Sequence, residues 1–232
     1  FSDVLSEARG PDVVVLPGSA GNACEVFLTA FKAKAGQRVF HNKGTGAMGF
    51  GLPAAIGACL ASGRRRTVCV DGDGGFQMNV QELEVVRRLE LPIKFFVLNN
   101  DGYASIRSTQ TSYFGGHLVG SSRDSGLTLP ATLRVAEAYG LPTARIAGHA
   151  RIREEVRDIL SADGPVICEV MVTPNQTTAP RISSRQRKDG SLVSLPLEDL
   201  WPFLARDEFL AHMLIPPIED EQEDPPRGRQ VS

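Results

Sequence analysis

Two short turns carry residue types that bind a divalent cation through oxygen. Gly72-Asp73-Gly74-Gly75 ends one apolar run, and Asn99-Asn100-Asp101-Gly102 ends another. One carboxylate, one neutral amide oxygen and a carbonyl from a glycine turn form an all-oxygen set. Magnesium takes such a set when it also holds phosphate oxygens and water. A cage made of protein alone needs more ligands, so the remainder are expected from a phosphorylated ligand. A third turn, Gly18-Ser19-Ala20-Gly21-Asn22, opens a helix pattern. Its small residues let backbone amides approach an anion at the positive end of a helix dipole. The same turn also reads as a plain strand-to-helix connection with Asn22 as its N-cap.

These turns need strands to bring them together, and the surrounding pattern supplies them. Val13 to Leu16 is a continuous apolar run that stops at Pro17-Gly18, and a helix pattern with Phe27, Leu28, Ala30 and Phe31 follows. Thr67 to Val70 feeds the first glycine turn, after which Val80, Leu83, Val86 and Leu89 recur at intervals of three. Ile93 to Leu98 and Val166 to Val172 are further buried strands, while Leu133 to Tyr139 and Ile152 to Leu160 read as helices. Strands alternating with helices predict a parallel sheet covered on both faces. In such a sheet, ligands bind beyond the carboxyl ends of the strands, where the polar turns lie.

From Tyr103 to Pro130 the pattern gives way to Ser, Thr, Gly and single aromatics, a stretch expected to be a functional loop. Ser112 to Leu129 is read either as a lid over the site or as a partner-docking segment. Leu195 to Ile215, with Trp201, Pro202 and Phe203, is expected to pack back on the domain or on other domains. Beyond it the chain is acidic and rich in proline, which suits a tail without its own core.

Composition narrows the class. With 232 residues the chain is long enough for one sizeable domain, and the 25 basic and 27 acidic residues leave a net charge of −2. That balance gives no electrostatic reason to expect nucleic acid or an anionic membrane as partner. The apolar runs are far shorter than the roughly 20 residues that span a bilayer. Cys24, Cys59, Cys69 and Cys168 form no CxxC and read as reduced thiols, which leads to the expectation of a cytoplasmic protein. The four histidines show no metal-like spacing.

Gly72-Asp73-Gly74, a 24-residue spacer and Asn99-Asn100 together resemble the thiamine diphosphate binding motif. The likeness runs from about Val13 to Met171 and is greatest to the C-terminal domain of the acetolactate synthase group. Gly46-Ala47-Met48-Gly49-Phe50-Gly51-Leu52-Pro53-Ala54-Ala55-Ile56-Gly57 is similar to that family's pyrimidine-side segment. The resemblance implies a three-layer α/β/α Rossmann-like domain with a mostly parallel sheet. It also implies thiamine diphosphate and Mg2+ as cofactors, with Asp73, Asn100 and the Gly102 carbonyl as metal ligands. Ser19, Ala20, Gly21, Asn22, Gly74 and Gly75 become diphosphate contacts. Gly46, Ala47 and Met48 meet the aminopyrimidine, and Tyr103, Ala104 and Ser105 lie toward the thiazolium.

By the same resemblance the activity is decarboxylation of a 2-oxo acid followed by carbon–carbon bond formation with a carbonyl acceptor. The alternatives are a simple 2-oxo acid decarboxylase and a non-catalytic cofactor-binding domain. The activating glutamate of the family lies on a separate pyrimidine-binding domain of a partner subunit, and Glu82 reads as a solvated or structural carboxylate instead. The expectation is therefore a cofactor-binding domain over 1–215 and a tail over 216–232, with the N-terminal and middle domains outside this chain. Such a piece is expected to be inactive alone and to work in a homodimer or tetramer. Two sites depart from acetolactate synthases: Gly21-Asn22 stands where they have a Gln-His pair, and Thr109 where they have a tryptophan. Asp101 to Arg107 looks instead like the loop of relatives acting on sugar-like or cyclitol-derived diketones and of acyloin-forming enzymes. Arg107 is read as a surface or interdomain salt-bridge partner, or as a partner for a substrate carboxylate or phosphate.

Overall fold

A computed structural model of the chain describes residues 1–7, 13–15, 25–42, 44–174, 176–186 and 190–217. It falls into two units, Phe1–Gln176 and Thr177–Ser232.

The first unit is built on six parallel strands: β1 (Val13–Val15), β2 (Arg38–Phe40), β3 (Thr67–Gly72), β4 (Ile93–Asn99), β5 (Thr143–Ile146) and β6 (Val166–Met171). Their order across the sheet is β2-β1-β3-β4-β6-β5. Thr67 pairs with Val13 on one side and with Ile93 on the other, and Lys94 pairs with Val166. After β2 the chain crosses back over β1 to enter β3, so the strand order reverses between β1 and β3. Such a reversal opens a crevice at the carboxyl edge of the sheet.

Helices cover both faces, and the period-two alternation of the strands decides which residues meet them. Cys69, Phe95, Val97 and Ile167 pack with Leu52 and Ile56 of α3 (Gly51–Ala61), Leu83 and Val86 of α5 (Leu83–Arg88) and Ala136 of α7 (Thr132–Ala138). Val68, Val70, Phe96, Leu98, Cys168 and Val170 face the opposite way. There they meet Leu5 of α1 (Ser2–Glu7), Phe27 of α2 (Glu25–Ala30), and Val156, Ile159 and Leu160 of α8 (Ile152–Ser161). The strands are apolar on both faces because both are covered, which is why they read as continuous hydrophobic runs. The three-layer α/β/α arrangement is the one the sequence predicts.

Two further helical segments belong to the site. α4 (Asp73–Phe76) leads into a 3-10 stretch over Gln77–Glu82, and α6 (Ala104–Tyr113) follows the second turn. The sequence pattern gave no helix over 104–113. Arg107 is its buried residue, so no apolar stripe marks the inner face. β2 and β5 also lie outside the sequence reading; both are edge strands, and β2 has only three residues.

In the second unit β7 (Ser184–Gln186) and β8 (Leu192–Ser194) pair antiparallel, and Arg181 bridges to Trp201. Asp199 forms a two-pronged ion pair with Arg206 of α9 (Arg206–His212) at 2.7 and 2.8 Å. Most of the expected tail, 218–232, lies outside the described residues. Among the described residues no helix is long and apolar enough to cross a membrane.

Candidate cofactor-binding site

Parallel pairing of β3 with β4 places Gly72 opposite Leu98, so the two oxygen-bearing turns leave the sheet side by side. Asp73 is buried at the first position of α4. One carboxylate oxygen, Oδ1, accepts the Gly74 N–H at 2.9 Å, and the other, Oδ2, accepts the Gly102 N–H at 3.1 Å. Asn100 is buried beside this pair in sequence and space, and its Oδ1 has no hydrogen-bond partner. A buried amide oxygen without a partner costs about 1–3 kcal/mol. Asn100 therefore presents a buried acceptor open to an outside partner, and an oxygen-seeking cation is one that meets that need. The set fits magnesium, with Asp73 and Asn100 as side-chain donors. Among the described residues no group of three or more His, Cys, Asp or Glu could hold a metal ion by itself.

Burial pushes the Asp73 carboxyl up to about 6, opposed by the Gly102 and Gly74 N–H groups and by the Arg107 guanidinium. Asp71, two residues earlier, is fully buried in β3. Desolvation raises it to about 7, the Gly72 N–H opposes that rise, and the neighbouring Asp73 charge adds to it. Asp71 Oδ2 also lacks a hydrogen-bond partner. It lies under the start of α3: a β-carbon on Gly51 would fall 3.0 Å from Asp71 Cγ. Two carboxylates thus stand at the carboxyl end of one strand, on a face otherwise packed with Cys69 and α3.

The segment that carries Gly46, Ala47 and Met48 arrives on the same edge. Thr45 and Gly46 donate their N–H groups to the Asn42 carbonyl, closing a turn in which Gly46 has φ +65°. Gly49 has φ +82°, and its carbonyl accepts the Asn79 side-chain amide at 2.7 Å. Asn79 thereby ties the segment that carries Gly46, Ala47 and Met48 to the one that follows Asp73. A β-carbon placed on Gly74 would lie 2.5 Å from Tyr103 Cδ1 and 3.6 Å from Met48 Cε. Met48, Gly74 and Tyr103 therefore converge, and the glycine is what allows the tyrosine ring to approach the turn. Gly75 is equally confined, with Asp71 Oδ1 2.8 Å from its would-be β-carbon. Ala104 and Ser105 are half-buried in the first turn of α6. Ser19, Ala20, Gly21 and Asn22 lie outside the described residues.

Further groups hold these turns, none of them assigned a supporting role from the sequence. Asn99 Oδ1 accepts the Asp101 N–H at 3.0 Å, and Asn99 Nδ2 donates to Glu169 at 2.8 Å. Glu169, buried in β6, also accepts from Arg145 of β5. Arg107 is buried, and its guanidinium donates to the carbonyls of Asn100, Asp101, Ser121 and Pro174 at 2.8 to 3.0 Å. Among the described residues no carboxylate forms an ion pair with Arg107, and its guanidinium is taken up by backbone carbonyls. Ser121 is held in turn by Gln110 and Ser125, and its carbonyl accepts the Tyr103 N–H at 3.0 Å. The stretch expected as a lid or docking segment is thus fastened to the second turn at Ser121. The sequence signal for Asp71 and Glu169 was a charged residue inside an apolar strand, which is rare unless the charge has a task.

Cys59, Cys69 and Cys168 are buried and free, and burial pushes the Cys168 thiol up to about 12. Cys24 lies outside the described residues.

Comparison with known proteins places the chain in a family. Residues 19–170 match the family model described as thiamine pyrophosphate enzyme, C-terminal TPP binding domain. The chain is 34% identical over 140 residues to the acetolactate synthase large subunit of Porphyra purpurea, covering 60% of this chain and 23% of that protein. It is 37% identical over 145 residues to the chloroplastic acetolactate synthase of Arabidopsis thaliana, covering 61% and 22%. The chain thus spans about a quarter of the length of these relatives. Among solved structures, the thiamine diphosphate-dependent 4-hydroxybenzoylformate decarboxylase of Rhodococcus jostii RHA1 shares the fold. Its TM-score is 0.62 at 24% identity, over 74% of this chain and 32% of that one. The chain belongs to the thiamine pyrophosphate enzyme family, as a C-terminal TPP-binding domain of the acetolactate synthase-like kind.

Proposed function

We propose that this domain anchors thiamine diphosphate through Mg2+ in a larger carboligase that decarboxylates a 2-oxo acid and joins the product to a carbonyl acceptor. The observation that carries the metal reading is the buried, unpartnered Asn100 Oδ1 beside the buried Asp73. In this reading Asp73, Asn100 and the Gly102 carbonyl hold Mg2+. Gly74, Gly75 and residues 19–22 receive the diphosphate. Gly46, Ala47 and Met48 meet the aminopyrimidine, and Tyr103, Ala104 and Ser105 line the thiazolium end.

The bound cofactor supplies the electron sink for the carbon chemistry, and the protein supplies position and electrostatics. Asp73 contributes one negative charge to the metal and orients it through the Gly74 and Gly102 N–H groups. Asn100 contributes a neutral oxygen. Met48 and Tyr103 shape an apolar wall over Gly74. A proton-relaying carboxylate for the pyrimidine ring is assigned to a segment outside this chain, so the isolated domain is expected to be inactive. The greater length of the relatives supports the presence of further domains, and in this reading the whole protein works as a homodimer or tetramer.

The test is to give the full-length enzyme a 2-oxo acid such as pyruvate, with Mg2+ and thiamine diphosphate, and to identify the product. An acetohydroxy acid or acyloin is expected. Free acetaldehyde alone would make the protein a decarboxylase, and no turnover with tight cofactor binding would make it a binding domain.

A further inference from the structure

Arg107 is a buried cation with no carboxylate in ion-pair contact among the described residues. Its two terminal nitrogens each donate twice. One reaches the carbonyls of Asp101 at 3.0 Å and Ser121 at 2.9 Å, the other those of Asn100 at 2.8 Å and Pro174 at 3.0 Å. The four acceptors come from three separate stretches: the turn after β4, the segment beyond α6, and the segment that follows β6. A planar fork satisfies four acceptors in this way, whereas an ammonium radiates its donors from one point.

The position of this fork bears directly on the second turn. A β-carbon on Gly102 would fall 2.9 Å from one Arg107 nitrogen and 2.6 Å from the Ser121 carbonyl, at φ +124°. The backbone at Gly102 is therefore threaded between the guanidinium, Ser121 and Asp73, and its N–H is directed to Asp73. The guanidinium charge also favours the ionised form of Asp73.

We propose that Arg107 is the positioning residue of the metal turn. By holding the Asn100 and Asp101 carbonyls it fixes the backbone that presents Asn100 Oδ1 and Gly102 beside Asp73 before an ion arrives. This rests on the reading of Asp73 and Asn100 as metal ligands. Groups that orient metal ligands without touching the ion typically govern about 10- to 100-fold in metal affinity.

The test uses the full-length enzyme with saturating thiamine diphosphate, titrated with Mn2+ and followed by the electron paramagnetic resonance of the free ion. Arg107→Met and Arg107→Lys should each weaken Mn2+ binding by about 10- to 100-fold, because lysine keeps the charge and loses the fork. Hydrogen exchange at Asp101 to Tyr103 should accelerate in both. Lys94→Met removes another buried cation, one that donates to the Ala162 carbonyl away from the site. It should lower the melting temperature and leave Mn2+ affinity unchanged. Affinity within twofold of wild type in Arg107→Lys overturns the inference, and that variant decides alone if Arg107→Met does not fold. Unchanged affinity in Asp73→Asn would overturn the metal reading and this inference with it. Loss in Asp73→Asn with retention in Arg107→Lys would overturn this inference only.

Discussion

The Gly102 N–H donates to Asp73 Oδ2 at 3.1 Å, joining the turn after β4 to the turn after β3 through a proposed metal donor. Replacing Asp73 by Asn keeps much of the shape and removes the charge. Mn2+ affinity should fall by more than about tenfold, since charge-assisted coordination is lost while the fold stays intact. Gly102→Ala should act differently, because its β-carbon meets the Ser121 carbonyl at 2.6 Å. That variant should lose about 1–3 kcal/mol of stability, read by urea denaturation, in addition to metal affinity. Equal behaviour of the two variants in the urea experiment would separate neither effect and would count against the packing described for Gly102.

The two buried carboxylates predict an inverted pH dependence for the metal-free protein. Both have folded-state values above the ordinary 3.8, at about 7 for Asp71 and about 6 for Asp73. The folded state therefore binds protons more tightly than the unfolded chain. The contribution to stability is present in full below about pH 4 and is lost as pH rises through about 6 and 7, with a combined size on the order of a few kcal/mol. Urea denaturation of the metal-free protein at pH 5 and pH 8 should show lower stability at pH 8. Asp71→Asn should flatten that difference. Added Mg2+ should oppose the loss at pH 8, because the ion stabilises the ionised Asp73.

How much of this site was legible in advance follows from the range of the signals. Asp73, Asn100 and Met48 stand in short contiguous motifs, and a buried parallel strand announces itself as an apolar run. The core strands β3, β4 and β6 were readable for the same reason. The supporting groups were not, because their meaning is three-dimensional. Arg107 reads in the sequence as an ion-pair or substrate partner, and its role emerges only when Ser121 and Pro174 are brought to it from elsewhere in the chain. Glu169 lies 70 residues from Asn99, and no local pattern links them. α6 escaped notice because its buried residue is charged rather than apolar.

The Asn99–Glu169 pair gives a third prediction. Asn99 serves the Asp101 N–H with its oxygen and Glu169 with its nitrogen. Asn99→Ala removes both and leaves Glu169 to Arg145 alone, at an expected cost of about 1–3 kcal/mol. Asn99→Asp should be worse, since a second carboxylate would face the buried Glu169. Thermal unfolding of the three proteins at pH 7.5 ranks them, and a more stable Asn99→Asp than Asn99→Ala would contradict the donor role given to Asn99.

Gly74 supplies the last prediction, one that separates packing from cofactor affinity. Its would-be β-carbon lies 2.5 Å from Tyr103 Cδ1, with Met48 Cε 3.6 Å away. Gly74→Ala must therefore push the tyrosine ring aside, because ring atoms cannot bend out of the way as a flexible chain end does. The ring is anchored at its backbone, where the Tyr103 N–H donates to Ser121, so displacement should disturb the second turn as well. Overpacking of this kind costs about 1–3 kcal/mol. Thiamine diphosphate affinity, measured by quenching of protein fluorescence, should fall in Gly74→Ala. The double variant Gly74→Ala/Tyr103→Ala removes the obstructing ring and should recover stability. If Gly74→Ala alone were as stable as wild type, Tyr103 would not be packed against the turn, and the shared wall formed by Met48 and Tyr103 would lose its support.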